Sequence, residues 1–173
     1  MKDKDHIEKF RRVIQTEGYS IRTRIDKRFD PPCITYSLQV KSPKMVSDLE
    51  KWRCVPRKSL KIDSFPPIDT SLYSHFIRGY FDGDGCLSYV KSENHYRIDF
   101  IGQEKFLKEI QYFFGNTSKL IKCGKAKAYR FGCSGQYMCE RYLDLIYKDS
   151  TEDTRLTRKY ELYIQLKNQL LNE

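Results

Sequence analysis

One stretch restricts this chain more than any other: Ser74-His75-Phe76-Ile77-Arg78-Gly79-Tyr80-Phe81-Asp82-Gly83-Asp84-Gly85, followed at once by a strand-like run from Cys86 to Val90. Phe76, Ile77, Gly79, Tyr80 and Phe81 leave almost no polar surface, so a helix here is expected to be buried. Gly79 would let another backbone approach closely. The Asp82-Gly83-Asp84-Gly85 end is too rich in glycine and aspartate to stay helical. A buried helix that delivers carboxylates to its own exit is a costly arrangement, and such costs mark function.

The rest of the chain is read around that helix. Ile7, Phe10, Val13 and Ile14 predict an amphipathic helix over residues 3–17, ended by Gly18. Alternation predicts strands from Tyr19 to Lys27 and from Cys33 to Val40, with a basic face on the first. Ser42 is the expected N-cap, and Pro43 the first position, of a helix running to Trp52. Four prolines and no periodicity make 54–70 a linker. After the central helix come strands 86–91 and 95–101, a helix over 103–114, strands 118–123 and 127–133, and helices 135–147 and 156–171. In the last of these, Leu162, Leu166 and Leu170 recur every fourth position.

Helix-strand-strand-helix thus occurs at 3–52 and again at 103–147. Ile7, Phe10 and Ile14 correspond to Leu107, Ile110 and Phe114; Tyr36, Leu38 and Met45 correspond to Tyr129, Phe131 and Met138. An extra helix and hairpin, 72–102, precede the second copy but not the first. The expected fold class is α+β, with an αββαββα second half (71–173) preceded by an incomplete αββα first half (1–53) and the linker.

Composition narrows the partners. Apolar residues at 39% and aromatic residues at 14% are enough for a core, which excludes wholesale disorder. Lys and Arg number 32 against 23 Asp and Glu, a net charge of +9 that favours a polyanionic partner. A merely basic soluble protein is the alternative that charge alone leaves open. Cys33, Cys54, Cys86, Cys123, Cys133 and Cys139 form no CxxC pair, and His6, His75 and His95 are scattered, so zinc is not expected. The cysteines alternate with apolar residues, as reduced core thiols would. Without a signal peptide or a membrane-spanning apolar run, the expectation is an intracellular protein, in cytoplasm or an organellar matrix, and not a secreted one.

The run Ile77 to Gly85 resembles the nine-residue signature of the LAGLIDADG homing endonucleases. Gly79, Asp82, Asp84 and Gly85 fit, with Gly83 at the remaining small position. Ile101-Gly102 leading to Phe106-Leu107, the Pro56-Arg57-Lys58-Ser59-Leu60 linker, Phe65-Pro66 and Arg158-Lys159-Tyr160 extend the resemblance to essentially the whole chain. It implies two signature helices packed side by side, two saddle-shaped sheets in the DNA major groove, and a role in intron or intein mobility. It implies that Asp84 binds Mg²⁺ (or Mn²⁺) beside the scissile phosphate, that the Gly83 carbonyl assists, and that Asp82 is structural. Lys41 follows as the candidate for stabilising developing phosphorane charge, its counterpart in the second copy being Ser134.

Independently of the resemblance, phosphodiester hydrolysis suits a hard cation on carboxylate oxygen, and glycines at 83 and 85 suit close phosphate approach. Base reading in double-stranded DNA would fall to Arg22, Arg24, Thr35, Ser37 and Gln39 on one face, and to Ser88, Lys91, Arg97, Lys122, Lys127 and Arg130 on the other. A calcium loop starting at Asp82 fails, because Cys86 and Leu87 occupy its ligand and glycine positions. A glycine-rich helix-to-strand turn without chemistry is the bland alternative.

The chain carries one signature helix where a double-strand cut needs two metal sites. A homodimer through 74–84, a fragment of a longer nuclease begun at an internal Met1, or a repurposed, maturase-like DNA- or RNA-binding protein would each account for this.

Overall fold

The computed structural model describes residues 3–56, 62–124 and 128–172. Among these the order is α1 (Lys4–Val13), β1 (Ile21–Asp26), β2 (Cys33–Leu38), α2 (Pro43–Lys51), α3 (Tyr73–Asp84), β3 (Cys86–Val90) and β4 (His95–Gly102). There follow α4 (Glu104–Phe114), β5 (Ile121–Cys123), β6 (Ala128–Ser134), α5 (Gln136–Tyr147) and α6 (Thr157–Leu170). The fold mixes helices with antiparallel sheets, and the elements stand where periodicity predicts them, with ends that differ by up to four residues; α3 stays helical through Asp84, where glycine and aspartate predict an earlier end. Ser42 caps α2, its hydroxyl accepting from the Met45 N–H at 3.2 Å, with Pro43 in the first turn. Gly115 ends α4 at φ 64, a left-handed position that a side chain disfavours, and Asn116 N–H returns to the Gln111 carbonyl.

β3, β4, β6 and β5 form one sheet in that order, and β1 and β2 form a separate hairpin. One face of the larger sheet carries Tyr96, Ile98, Phe100 and Phe131 into a core shared with α3, α4, α5 and α6. That core is aromatic throughout. Phe114 stacks on Tyr142 with centroids 4.1 Å apart, and Phe81 packs on Phe100 at 5.3 Å. The odd-numbered residues of β4 and their cross-strand partners lie on the opposite, open face.

The first half is packed differently from the second. Leu107, Ile110 and Phe114 are buried, but Phe10, their expected counterpart in the first copy, is exposed. Among the described residues of 3–56 no hydrophobic side chain is buried; only Lys9 and Thr16 are. The element order occurs twice, but β5 and β6 extend a sheet that α4 and α5 cover, whereas β1 and β2 stand alone. Polar contacts attach α1 to the second half: Lys9 Nζ donates to Thr157 at 2.8 Å, Arg12 pairs with Asp153 at 3.0 Å, and Arg158 pairs with Asp3 at 2.9 Å.

The cysteines also depart from the expectation of core thiols. Cys139 is buried, but Cys33, Cys54 and Cys86 are exposed, because these last three lie on the hairpin, the linker and the sheet's open face.

Candidate nucleic-acid interface and its carboxylate

The central helix is not buried all round. Ile77, Arg78, Phe81 and Asp82 face inward, while Gly79, Gly83 and Asp84 are exposed and Leu72 lies open just before the helix. This corrects the expected burial, and the reason is the 3.6-residue period: positions 77, 78, 81 and 82 meet α5 and the sheet, while 79 and 83 point away. A side-chain carbon built on Gly79 or Gly83 would meet nothing within 4 Å.

The two aspartates therefore part company. Asp82, 5% exposed, accepts from the Tyr147 hydroxyl at 2.8 Å and from the Leu156 N–H at 2.9 Å. Burial pushes its carboxyl above the ordinary range, against the pull of those two donors and of Lys159. Beside it the buried Arg78 donates to the carbonyls of Thr154 and Ile146 and to His75 Nδ1. Lys159 closes the helix end. Its ammonium donates to the carbonyls of Phe81, Asp82 and Gly85, at 3.2 and 2.6 Å for the last two. The Phe81 carbonyl also accepts from the Gly85 N–H at 2.9 Å, so the ammonium adds to that bond and supplies a donor to the carbonyls beyond it, where the helix's own N–H groups run out.

Asp84, one turn-step further on, leaves the core. It borders a cleft of ≈ 290 Å³ with Ile62, Tyr80, Ile101, Gly102, Gln103, Phe106 and Ala128. Tyr80 donates to the Ile101 carbonyl at 2.6 Å, and its phenol is pushed up to about 12 by burial first and by the Asp84 charge second. Gly85 turns sharply into β3. A side chain there would run into the Phe81 ring and the Phe81 carbonyl, the latter at 2.7 Å.

The cleft opens beside the uncovered face of the large sheet. Register places Ser88, Arg97 and Ser134 in one row, Cys86, Asp99 and Gly132 in the next, and Ile101, Arg130 and Ile121 in a third. Arg97 and Arg130 thus share a face with Ser88. Lys122 does not. It pairs with Tyr129, which packs toward the core, so Lys122 stands on the opposite side of the sheet from Arg130. The expectation set it with the arginines, but the pairing of β5 with β6 puts Ile121, not Lys122, opposite Arg130. Lys91 lies in the short turn after β3, and Lys127 falls outside the described residues, as do 57–60 of the linker.

On the small hairpin Arg22 pairs with Ser37 and Arg24 with Thr35, so these four share one exposed face, and Gln39 continues its alternation just past β2. Lys41 does not join Asp84. It is exposed, its carbonyl accepts from the Tyr19 hydroxyl at 3.2 Å, and it borders a different cleft with Val40, Pro43 and Val46.

Sequence reasoning gave Asp99 no part and Lys159 only a place in the resemblance, though both carried a signal of their own. Lys159 interrupts the stripe Leu156, Tyr163, Leu166 of α6, and Asp99 alternates in phase with Arg97.

No protein-family model matches the sequence, and none of the curated proteins compared with it does so. Among solved structures the chain is similar to the homing endonuclease I-CvuI, in a crystal structure with the I-CreI target in the presence of Mg, its DNA not cleaved. The TM-score is 0.39 and the identity 14%, over 57% of this chain and 69% of that one. A similarity of that extent fixes neither family nor activity. Among the described residues no helix is long and apolar enough to cross a membrane.

Proposed function

We propose that this chain is a site-specific endonuclease of double-stranded DNA, of the homing-endonuclease type, hydrolysing phosphodiester bonds at Asp84. The observation that carries the reading is the exit of α3. A rigid, internally satisfied helix end holds Asp82 inside and puts Asp84 outside, in a cleft bordered by Ile101 and Ala128 of the open, arginine-bearing sheet face. A +9 chain with that face suits the phosphate backbone and the major groove.

A single exposed carboxylate fits Mg²⁺ or Mn²⁺, because Mg²⁺ keeps several waters and takes one or two protein carboxylates together with substrate phosphates. Asp84, helped by the Gly83 carbonyl, would hold the ion, which would polarise the phosphate and acidify an attacking water. The chain's own part is to hold that carboxylate at the surface, on the Lys159-capped turn. Lys41 borders another cleft, so the catalytic reading rests on Asp84. Two chains paired through Leu72, Gly79 and Gly83 would bring two Asp84 carboxylates to one duplex, since small residues allow close helix approach.

The second reading is a DNA- or RNA-binding protein without cleavage, maturase-like in role. It is favoured by one observation: Lys41, the other catalytic candidate, borders a different cleft from Asp84.

Both readings require nucleic-acid binding. Fluorescence anisotropy on a labelled duplex should show affinity falling steeply and log-linearly with salt. Light scattering should return a dimer for the wild type and a monomer for Gly79→Leu. Absence of binding at low salt would remove both readings, and a wild-type monomer would remove the paired site.

A further inference from the structure

Asp99 is an acidic group at the centre of a face read here as DNA-binding, and base reading by arginines alone gives it no part. Its carboxylate lies between two guanidinium groups: Arg97 Nε is 2.9 Å from Oδ2, and Arg130 Nε is 3.5 Å from Oδ1. The Asp99 side chain is 16% exposed, against 39% for Arg97 and 35% for Arg130, so the arginines cover the carboxylate rather than the reverse. A pair shielded in this way is held more firmly than the usual surface ion pair.

The room for it comes from Gly132, directly opposite in register. A side chain at 132 would overlap Asp99 Oδ1 and the Ile98 carbonyl. The carboxylate thus lies flat over β6 in the space that a glycine leaves.

The geometry has a chemical consequence. Each arginine comes nearest the carboxylate with its Nε, and the contact in each case is an ion pair. A guanidinium that turns its Nε edge to a carboxylate leaves its two Nη groups for other acceptors, and two such donors suit O6 and N7 of guanine. The carboxylate between them also repels phosphate, which turns the pair from the DNA backbone toward base edges.

We propose that Asp99, seated in the gap left by Gly132, is a positioning residue that fixes Arg97 and Arg130 as guanine readers in the major groove. The inference rests on the DNA-binding reading above and adds which side chains set its specificity.

A duplex selected by the wild type from a pool with about twenty randomised base pairs, and a scrambled duplex, serve as probes. Asp99→Asn, isosteric and expected to melt close to the wild type, should bind the scrambled duplex at least as tightly, since a negative charge has gone. Its preference for the selected duplex should fall by about ten-fold or more. Arg97→Gln and Arg130→Gln should lose preference at the same guanines. A measurement on the wild type needs no variant to fold: 7-deazaguanine, which lacks the N7 acceptor, should weaken binding by a similar factor at those positions. Preference that survives Asp99→Asn, indifference to 7-deazaguanine, or a wild type that binds without selecting any sequence would each overturn the role of Asp99 while leaving DNA binding intact. A wild type that binds no duplex would overturn the DNA-binding reading itself.

Discussion

A lysine ammonium enclosed by the carbonyls of Phe81, Asp82 and Gly85 holds the end of α3 in one geometry. Cations are favoured at helix C-termini by the backbone dipoles, and this one is 2% exposed. Burial pulls the Lys159 pKa down to about 8 from 10.5, with Asp82 opposing. Between those two values the unfolded chain holds the proton that the native state has lost. The stability contributed by this group is therefore fully present above 10.5 and is lost as pH falls through about 8. Urea denaturation of the wild type and Lys159→Met should show the difference moving in favour of the wild type from pH 8 to 10.5, by roughly 3 kcal/mol. A difference that stayed level or shrank would mean that the three carbonyls and Asp82 outweigh burial at Lys159. The sequence held a trace of it: a charge on the Leu156, Tyr163, Leu166 stripe must be solvated from inside the fold. Which backbone groups would do so depends on how α6 crosses the end of α3, and side-chain spacing carries no such information.

The elements themselves were legible because period 3.6 and period 2 are strong where runs are long, as in α4, α5 and β4. Short runs were not. β5 spans Ile121–Cys123, too few residues to phase an alternation, and Lys122 accordingly falls on the side away from Arg130. The faces of α3 were misread for a related reason. Apolar and small residues alternate so closely there that composition cannot say which arc meets a neighbour, and only Ile77, Arg78, Phe81 and Asp82 do so fully. The helix-to-strand exit, by contrast, is sterically strict. Gly85→Ala would press a methyl into the Phe81 ring and carbonyl. Urea denaturation should show a loss of about 1–3 kcal/mol. An unchanged midpoint and slope would mean that the turn is looser than its contacts imply.

Among the described residues the molecule has one buried core and an attached, largely uncovered hairpin unit. The core from Phe65 to Leu166 belongs to the end of the linker and the second half, whereas Phe10, Val13, Ile25, Phe29, Val46, Leu49 and Trp52 remain exposed in the first. The contacts named for α1, such as Arg12–Asp153 and Arg158–Asp3, are exposed ion pairs of the kind that contribute little individually and weaken with salt. Hydrogen exchange should therefore find the amides of β1 and β2 opening far more readily than those of β4 and β6, increasingly so at high salt. Equal protection in the two sheets would require cohesion that these contacts do not supply. Apolar spacing over 3–52 correctly placed helices and strands, but the surface that covers them is a property of tertiary packing, which a repeat in element order does not determine.

The central claim is that Asp84, held outside the Lys159-capped helix end, performs hydrolysis on DNA that the sheet face binds. The most direct measurement is cleavage of a supercoiled plasmid carrying a selected site, in Mg²⁺, by the wild type and by Asp84→Asn. The wild type should nick or linearise the plasmid, and Asp84→Asn should leave it supercoiled while binding the same duplex with affinity within about three-fold. Equal cleavage by both proteins, or none by a wild type that binds the site, would contradict it.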